Sequence, residues 1–249
     1  MRKIIVLIAL LIPAASWAHT SSCRIAVIAG GEERPEYFSG GTTYIEALRG
    51  RNYTLRVSNP TPYRVAVALS VDGLNTINAR HTDAWSAAKW VLDPYESIDI
   101  DGWQVSGSTA RRFVFTGERR SYGAALGQTE NLGVIEAVFY RERPPRRMLM
   151  EDRDGERKES SSRSSPPPPA ASPQPELSDE YAATGMGDRT RHEVTSVDID
   201  LDPSPIASVR IRYEFRPQLV KLGILDADPS PLAHREKARG FERYCPEPH

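Results

Sequence analysis

From Arg24 to Arg143 the chain is a succession of short apolar or alternating runs, each closed off by Gly, Pro, Asn or Asp. That rhythm dictates strands joined by turns. Alternation with period two lays every second side chain on one face, and the punctuating residues are those that tolerate turn geometry. Arg24–Ala29 reads as a first strand. Residues 42–48 and 53–58 flank Arg49-Gly50-Arg51-Asn52 and read as a hairpin, with Tyr53, Leu55 and Val57 turned inward. Asn59-Pro60-Thr61-Pro62 ends that hairpin, because proline lacks the N–H a ladder needs. In residues 63–71, Val65, Val67, Leu69 and Val71 alternate with the small Ala66, Ala68 and Ser70. This is the pattern of a central strand with one bulky face and one thinly covered face. Asp72-Gly73 then turns the chain sharply. Residues 75–89 read as a loop laid over the sheet, and 90–92, 97–105, 110–116 and 132–141 as further strands.

Composition changes abruptly after Arg143. Residues 144–190 hold paired prolines, mixed charges, the run Ser160-Ser161-Ser162 and four prolines at 166–169, with almost no branched aliphatics. Such a segment buries too little apolar area to offset its ordering entropy and reads as a disordered, partly polyproline II insert. Alternation returns in residues 193–200 and 207–215, joined by Asp202-Pro203-Ser204-Pro205. A lone hairpin is marginal in water, so this pair is expected to complete the sheet begun before the insert. The fold expected is all-β: a single antiparallel β-sandwich interrupted by a long Pro/Ser-rich insert. Its segments are a leader at 1–18, the main part at 19–143, the insert at 144–190, a closing hairpin at 191–222 and a tail at 223–249.

The leader has the composition of a secretory signal peptide. Arg2 and Lys3 precede an apolar run from Ile4 to Ile12, and Ser16 and Ala18 supply the small residues a signal peptidase requires. That run is too short to span a bilayer core of about 30 Å. Cleavage after Ala18 removes Arg2 and Lys3 from the 32 basic residues and none of the 33 acidic ones, giving 30 against 33 and a charge of −3. Nothing in this balance points to nucleic acid, and no nucleic-acid partner is expected. With no later stretch of eighteen apolar residues, the mature chain is expected to be exported, periplasmic or extracellular, without a transmembrane segment. Cys23 and Cys245 are its two cysteines and, in an oxidising compartment, a candidate disulfide; two separate thiols are the alternative.

The candidate binding residues cluster after residue 71. Asp72 and Asn75 follow an apolar strand, where a rigid sheet can present a carboxylate and an amide to a ligand; bonding to turn backbone donors is the simpler explanation of both. Trp85, Trp90, Tyr95 and Trp103 suggest an aromatic platform for glycan stacking, or core filling. His81 lies in the same loop region. Asp72, Asp99 and Asp101 offer oxygens for calcium, although Asp99 and Asp101 alternate with Ile98 and Ile100 as on a solvated strand face. Arg111-Arg112, Arg119-Arg120 and Arg146-Arg147 are dispersed basic pairs whose acidic neighbours point to surface ion pairing. Cleavage before His19 would expose an amine and an imidazole that together chelate copper, with His81 or His192 as the second imidazole. No G-x-S-x-G nucleophile turn is present.

The stretches RGRNYTLRVSNPTPYRVAVALSVDGLN, ARHT, KWVLDPYESIDIDGWQVS, TARRF, SYGAALGQTENLGVI and VRIRYEFRPQLVKLGIL resemble a family of exported bacterial β-rich proteins. The resemblance implies a β-rich fold and assigns no catalytic residue. The function expected is that of an exported, non-enzymatic β-sandwich without a cofactor, binding an envelope or extracellular protein or glycan. A copper-dependent enzyme built on His19 and a structural envelope component are the alternatives.

Overall fold

A computed structural model describes residues 22–144 and 176–227. The expected leader, His19, Cys245, residues 145–175 of the expected insert with Arg146-Arg147, and residues 228–249 lie outside the described residues. The strands are β1 (Arg24–Ala29), β2 (Glu32–Glu33), β3 (Glu36–Ser39), β4 (Thr42–Ala47), β5 (Asn52–Ser58), β6 (Val65–Val71), β7 (Leu74–Asn75) and β8 (Trp90–Leu92). They continue with β9 (Ser97–Ile100), β10 (Gly102–Ser106), β11 (Thr109–Gly117), β12 (Val134–Glu142), β13 (Ala182–Arg191) and β14 (Leu201–Phe215). Two short helices, α1 (Tyr122–Ala125) and α2 (Arg216–Lys221), complete the set.

Two seven-stranded sheets stack face to face. The first runs β10–β11–β5–β1–β2, with β13 on β11 and β9 on β5. The second runs β3–β4–β14–β12–β6–β7, with β8 on β6. The inward residues of both meet in one core: Ile25, Val27, Leu55, Val57, Phe113 and Phe115 from the first sheet face Ile45, Val67, Leu69, Ile135, Phe139 and Ile211 from the second. The all-β sandwich expected from the alternation is therefore the fold, and the inward assignment of Tyr53, Leu55 and Val57 holds, since all three are buried.

Strand partnerships depart from the sequence reading in three places. First, β4 and β5 are not a hairpin. β4 pairs with β3 and β14, whereas β5 pairs with β1, β9 and β11, so the turn between them arches from one sheet to the other. An apolar alternation specifies a buried face but not which sheet supplies the partner, which is why the sequence pattern could not separate arch from hairpin.

Second, residues 193–200 are not a strand, and no closing hairpin forms. The chain instead makes β13 from residues assigned to the insert, antiparallel to β11 in the first sheet, then crosses to make β14 in the second. Ala182, Ala183, Thr184 and Gly185 are buried there although they are small and mostly unbranched. β13 carries none of the branched aliphatic alternation that marks a strand in sequence, so composition masked it. Pro203 and Pro205 lie within β14, where register shifts against β12 accommodate the missing donors. Third, the sandwich is not wholly antiparallel. β14 runs parallel to β4 from Ile211↔Thr43 to Phe215↔Ala47, while pairing antiparallel with β12 on its other side.

Candidate functional site

The turn Asp72-Gly73 closes the β6–β7 hairpin, with Val71 opposite Leu74. Both turn residues take positive φ, 53° and 74°, the requirement of a two-residue turn matched to strand twist. A side chain on Gly73 would approach the Asn131 side chain within 2.8 Å, so the position demands glycine twice over.

The Asp72 carboxylate does not face solvent. It is 2% exposed and reaches between the sheets, where it accepts hydrogen bonds from the backbone N–H of Gly133 at 2.8 Å and of Thr184 at 2.7 Å. The Tyr213 hydroxyl donates to it as well. The Thr184 hydroxyl lies 2.7 Å from the hydroxyls of both Tyr53 and Tyr213. The result is a polar bolt through an apolar interior, with Tyr53 and Thr184 from the first sheet, Asp72 and Tyr213 from the second. Burial raises the carboxyl to about 7, against the opposing pull of the Tyr213 hydroxyl and the surrounding amides, and the same burial pushes both tyrosines well above their ordinary range. Asp72 thus lies in the interior, with both carboxylate oxygens engaged by these bonds.

Asn75 is equally buried and staples the loop that follows. Its amide donates to the Ala88 carbonyl at 2.8 Å, and its side-chain oxygen accepts from the Ile77 N–H at 3.0 Å. Thr76 accepts from the Trp90 indole at 2.9 Å. Residues 76–89 carry no strand or helix, the loop read from the sequence, yet these bonds fix both ends of it against the sheet.

Beneath the loop lies a groove of about 400 Å³ on the outer face of the second sheet. Its floor includes Ala68, Ser70, Val134 and Val138, the thin face of β6 and its β12 neighbour. Arg210 and Arg212 of β14 line one side, and Arg80, His81, Thr82 and Asp83 of the loop line the other. The two acids are already engaged: Glu136 accepts from Arg210 at 2.9 Å, and Asp83 accepts from the Ser86 N–H at 3.0 Å, which holds its carboxyl below the usual range. The His81 ring nitrogen Nδ1 sits 3.0 Å from the Gly73 carbonyl, tying the groove rim to the turn that carries Asp72.

The remaining candidates separate. Trp85 is half-exposed on the loop and packs edge-on against Tyr140 at 5.2 Å, with the Lys89 ammonium 5.4 Å from its ring. Trp103 is 2% exposed in the core, edge-on to Phe113, with its indole donating to the Gly185 carbonyl at 3.3 Å. Trp90 lies beside the His192 ring at 5.5 Å, and Tyr95 stands exposed, so no shared aromatic platform forms. Asp99 is bound by Arg56 through two hydrogen bonds, Asp101 accepts from Thr54, and Asp72 is interior; among the described residues no group of three or more His, Cys, Asp or Glu is placed to hold a metal ion. The calcium arrangement therefore does not exist. His192 bonds Gln104 at 2.8 Å. Cys23 is a buried thiol whose pKa is raised by burial, and its expected disulfide partner lies outside the described residues. No helix among the described residues is long and apolar enough to cross a membrane.

Of the residues singled out in the sequence, Asn75 and His81 line the groove, whereas Arg80, Arg210 and Arg212 beside them, and Thr184 and Tyr213 bonded to Asp72, were not singled out. The alternation Arg210-Ile211-Arg212-Tyr213 was a usable signal, since it put both arginines on the face opposite the core. No family model matches the chain, and comparison with curated proteins and with solved structures likewise returns no match.

Proposed function

We propose that this chain is an exported, non-catalytic binding module, and that the groove under residues 76–89 holds an envelope or extracellular partner, glycan or protein. One observation carries the reading. A stapled loop stands over a floor of small residues and leaves about 400 Å³ open, where ordinary packing would have filled it. That volume falls in the range of small-ligand clefts, and the polar side chains converge on it from two independent elements. A rigid loop on a sheet scaffold also lowers the entropy lost on binding.

The test is to fill the groove from below. Ser70→Trp places an indole on its floor while leaving the core face of β6 untouched. Mature protein and the variant, matched by circular dichroism, are applied to arrays of immobilised envelope glycans and surface peptides. Retention of the wild-type protein on a defined ligand, lost in Ser70→Trp, is the expected result. Equal retention of the two proteins removes the groove from the function and favours a purely structural role.

A further inference from the structure

We infer that the groove takes a carboxylate-bearing saccharide, a sugar acid or an oligomer of one; this deepens the binding-module reading and rests on it. The inference starts from unequal charge pairing. Arg210 is neutralised by Glu136, and Asp83 is capped by the Ser86 amide and lies near Lys89. Arg80 and Arg212 remain. Among the described residues neither guanidinium makes a hydrogen bond or an ion pair, although Arg212 lies on the same strand face as the half-buried Glu214 and perturbs its titration.

The two arginines come from opposite banks. Arg212 is on β14 and Arg80 follows β7, with β12 and β6 between them in the sheet order. The β14 to β6 distance alone is about 10 Å at ordinary strand spacing, room for a sugar ring between them. A carboxylate is the group a guanidinium holds best, through two parallel N–H bonds. The rest of the lining is a mixture of donors and acceptors, Ser70, Thr82, Asn131 and the still-accessible oxygens of Glu136 and Asp83, which suits hydroxyls. Among the described residues no Phe, Tyr or Trp lines the groove, which argues against a flat apolar ligand. The groove floor is the middle of the sheet and offers no free strand edge for pairing with an extended peptide.

Isothermal titration of the full mature chain with tri-galacturonate, maltotriose and a tri-glutamate peptide tests this directly. Tri-galacturonate is expected to bind, with affinity falling at least tenfold in Arg212→Gln and in Arg80→Gln, unchanged in Arg189→Gln, and weakening as salt is raised. Maltotriose and tri-glutamate are expected to bind at least tenfold more weakly. Equal binding of maltotriose that Ser70→Trp abolishes overturns the acidic-sugar inference and leaves the groove reading standing. Equal binding of tri-glutamate overturns the saccharide in favour of an acidic peptide. Absence of tri-galacturonate binding, or binding indifferent to Arg80 and Arg212, also overturns the inference, and binding indifferent to Ser70→Trp as well takes the groove with it.

Discussion

Asp72 shows how one side chain can be exposed by sequence pattern and interior by structure. An Asp-Gly turn ordinarily solvates its carboxylate, but here the donors of Gly133, Thr184 and Tyr213 draw it between the sheets. Its native pKa of about 7 lies above the ordinary value of 3.8, so the folded state binds the proton more tightly than the unfolded chain does. Stability from this group is complete at low pH and declines as pH rises from about 4 through 7, by an amount on the order of a few kcal/mol. Glu214, also raised by burial, acts in the same direction. Thermal denaturation is expected to give a higher Tm at pH 5 than at pH 8. Asp72→Asn keeps the positive φ, which asparagine tolerates, but turns an N–H donor toward the Thr184 amide. It should cost about 1–3 kcal/mol and flatten the pH dependence; a pH slope identical to wild type would refute the assignment. The turn itself was legible in Asp72-Gly73. The bolt was not, because its partners lie 61, 112 and 141 residues away, a separation that local pattern does not encode.

At the scale of elements, the loop of residues 76–89 owes its order to a few side chains rather than to regular hydrogen bonding. Removing the Asn75 amide in Asn75→Ala unpairs the Ala88 carbonyl and the Ile77 amide together. Hydrogen exchange across residues 77–88 is expected to accelerate by tenfold or more while β6 and β12 stay protected, because losing about 1–2 kcal/mol acts locally on a segment with little buried apolar area. Unaltered exchange in the loop would place its order elsewhere. Strands β5, β6, β8, β11 and β12 were visible in the sequence as alternation or apolar runs. β13 was not, because its glycines and alanines are chosen for close approach: a side chain on Gly187 would meet the Arg112 carbonyl at 3.0 Å and the Asn52 side chain at 3.1 Å. The sequence signals for a strand are signals for packing bulk, and β13 packs by having little of it.

For the whole molecule, the two strands that follow the Pro/Ser-rich stretch are structural necessities in both layers. β13 supplies Thr184 and covers β11, and β14 sits between β4 and β12 in the middle of the second sheet. A chain ending at residue 143 is therefore expected to lack a cooperative urea transition and to leave the β4 and β12 amides unprotected. A sharp transition with protected Val65–Val71 amides would show that the earlier part folds alone. The alternation around β14 announced that the later residues return to the sandwich, but not that they divide between its layers. The parallel pairing of β4 with β14 carries one more implication. A ribosome releases β4 long before β14 exists, so β4 and β12 each wait with an open hydrogen-bonding flank until some 215 residues have been made. Such high contact order slows folding, and the waiting flanks invite pairing with other chains. Nascent and newly completed copies are the population in which a holding chaperone would matter most.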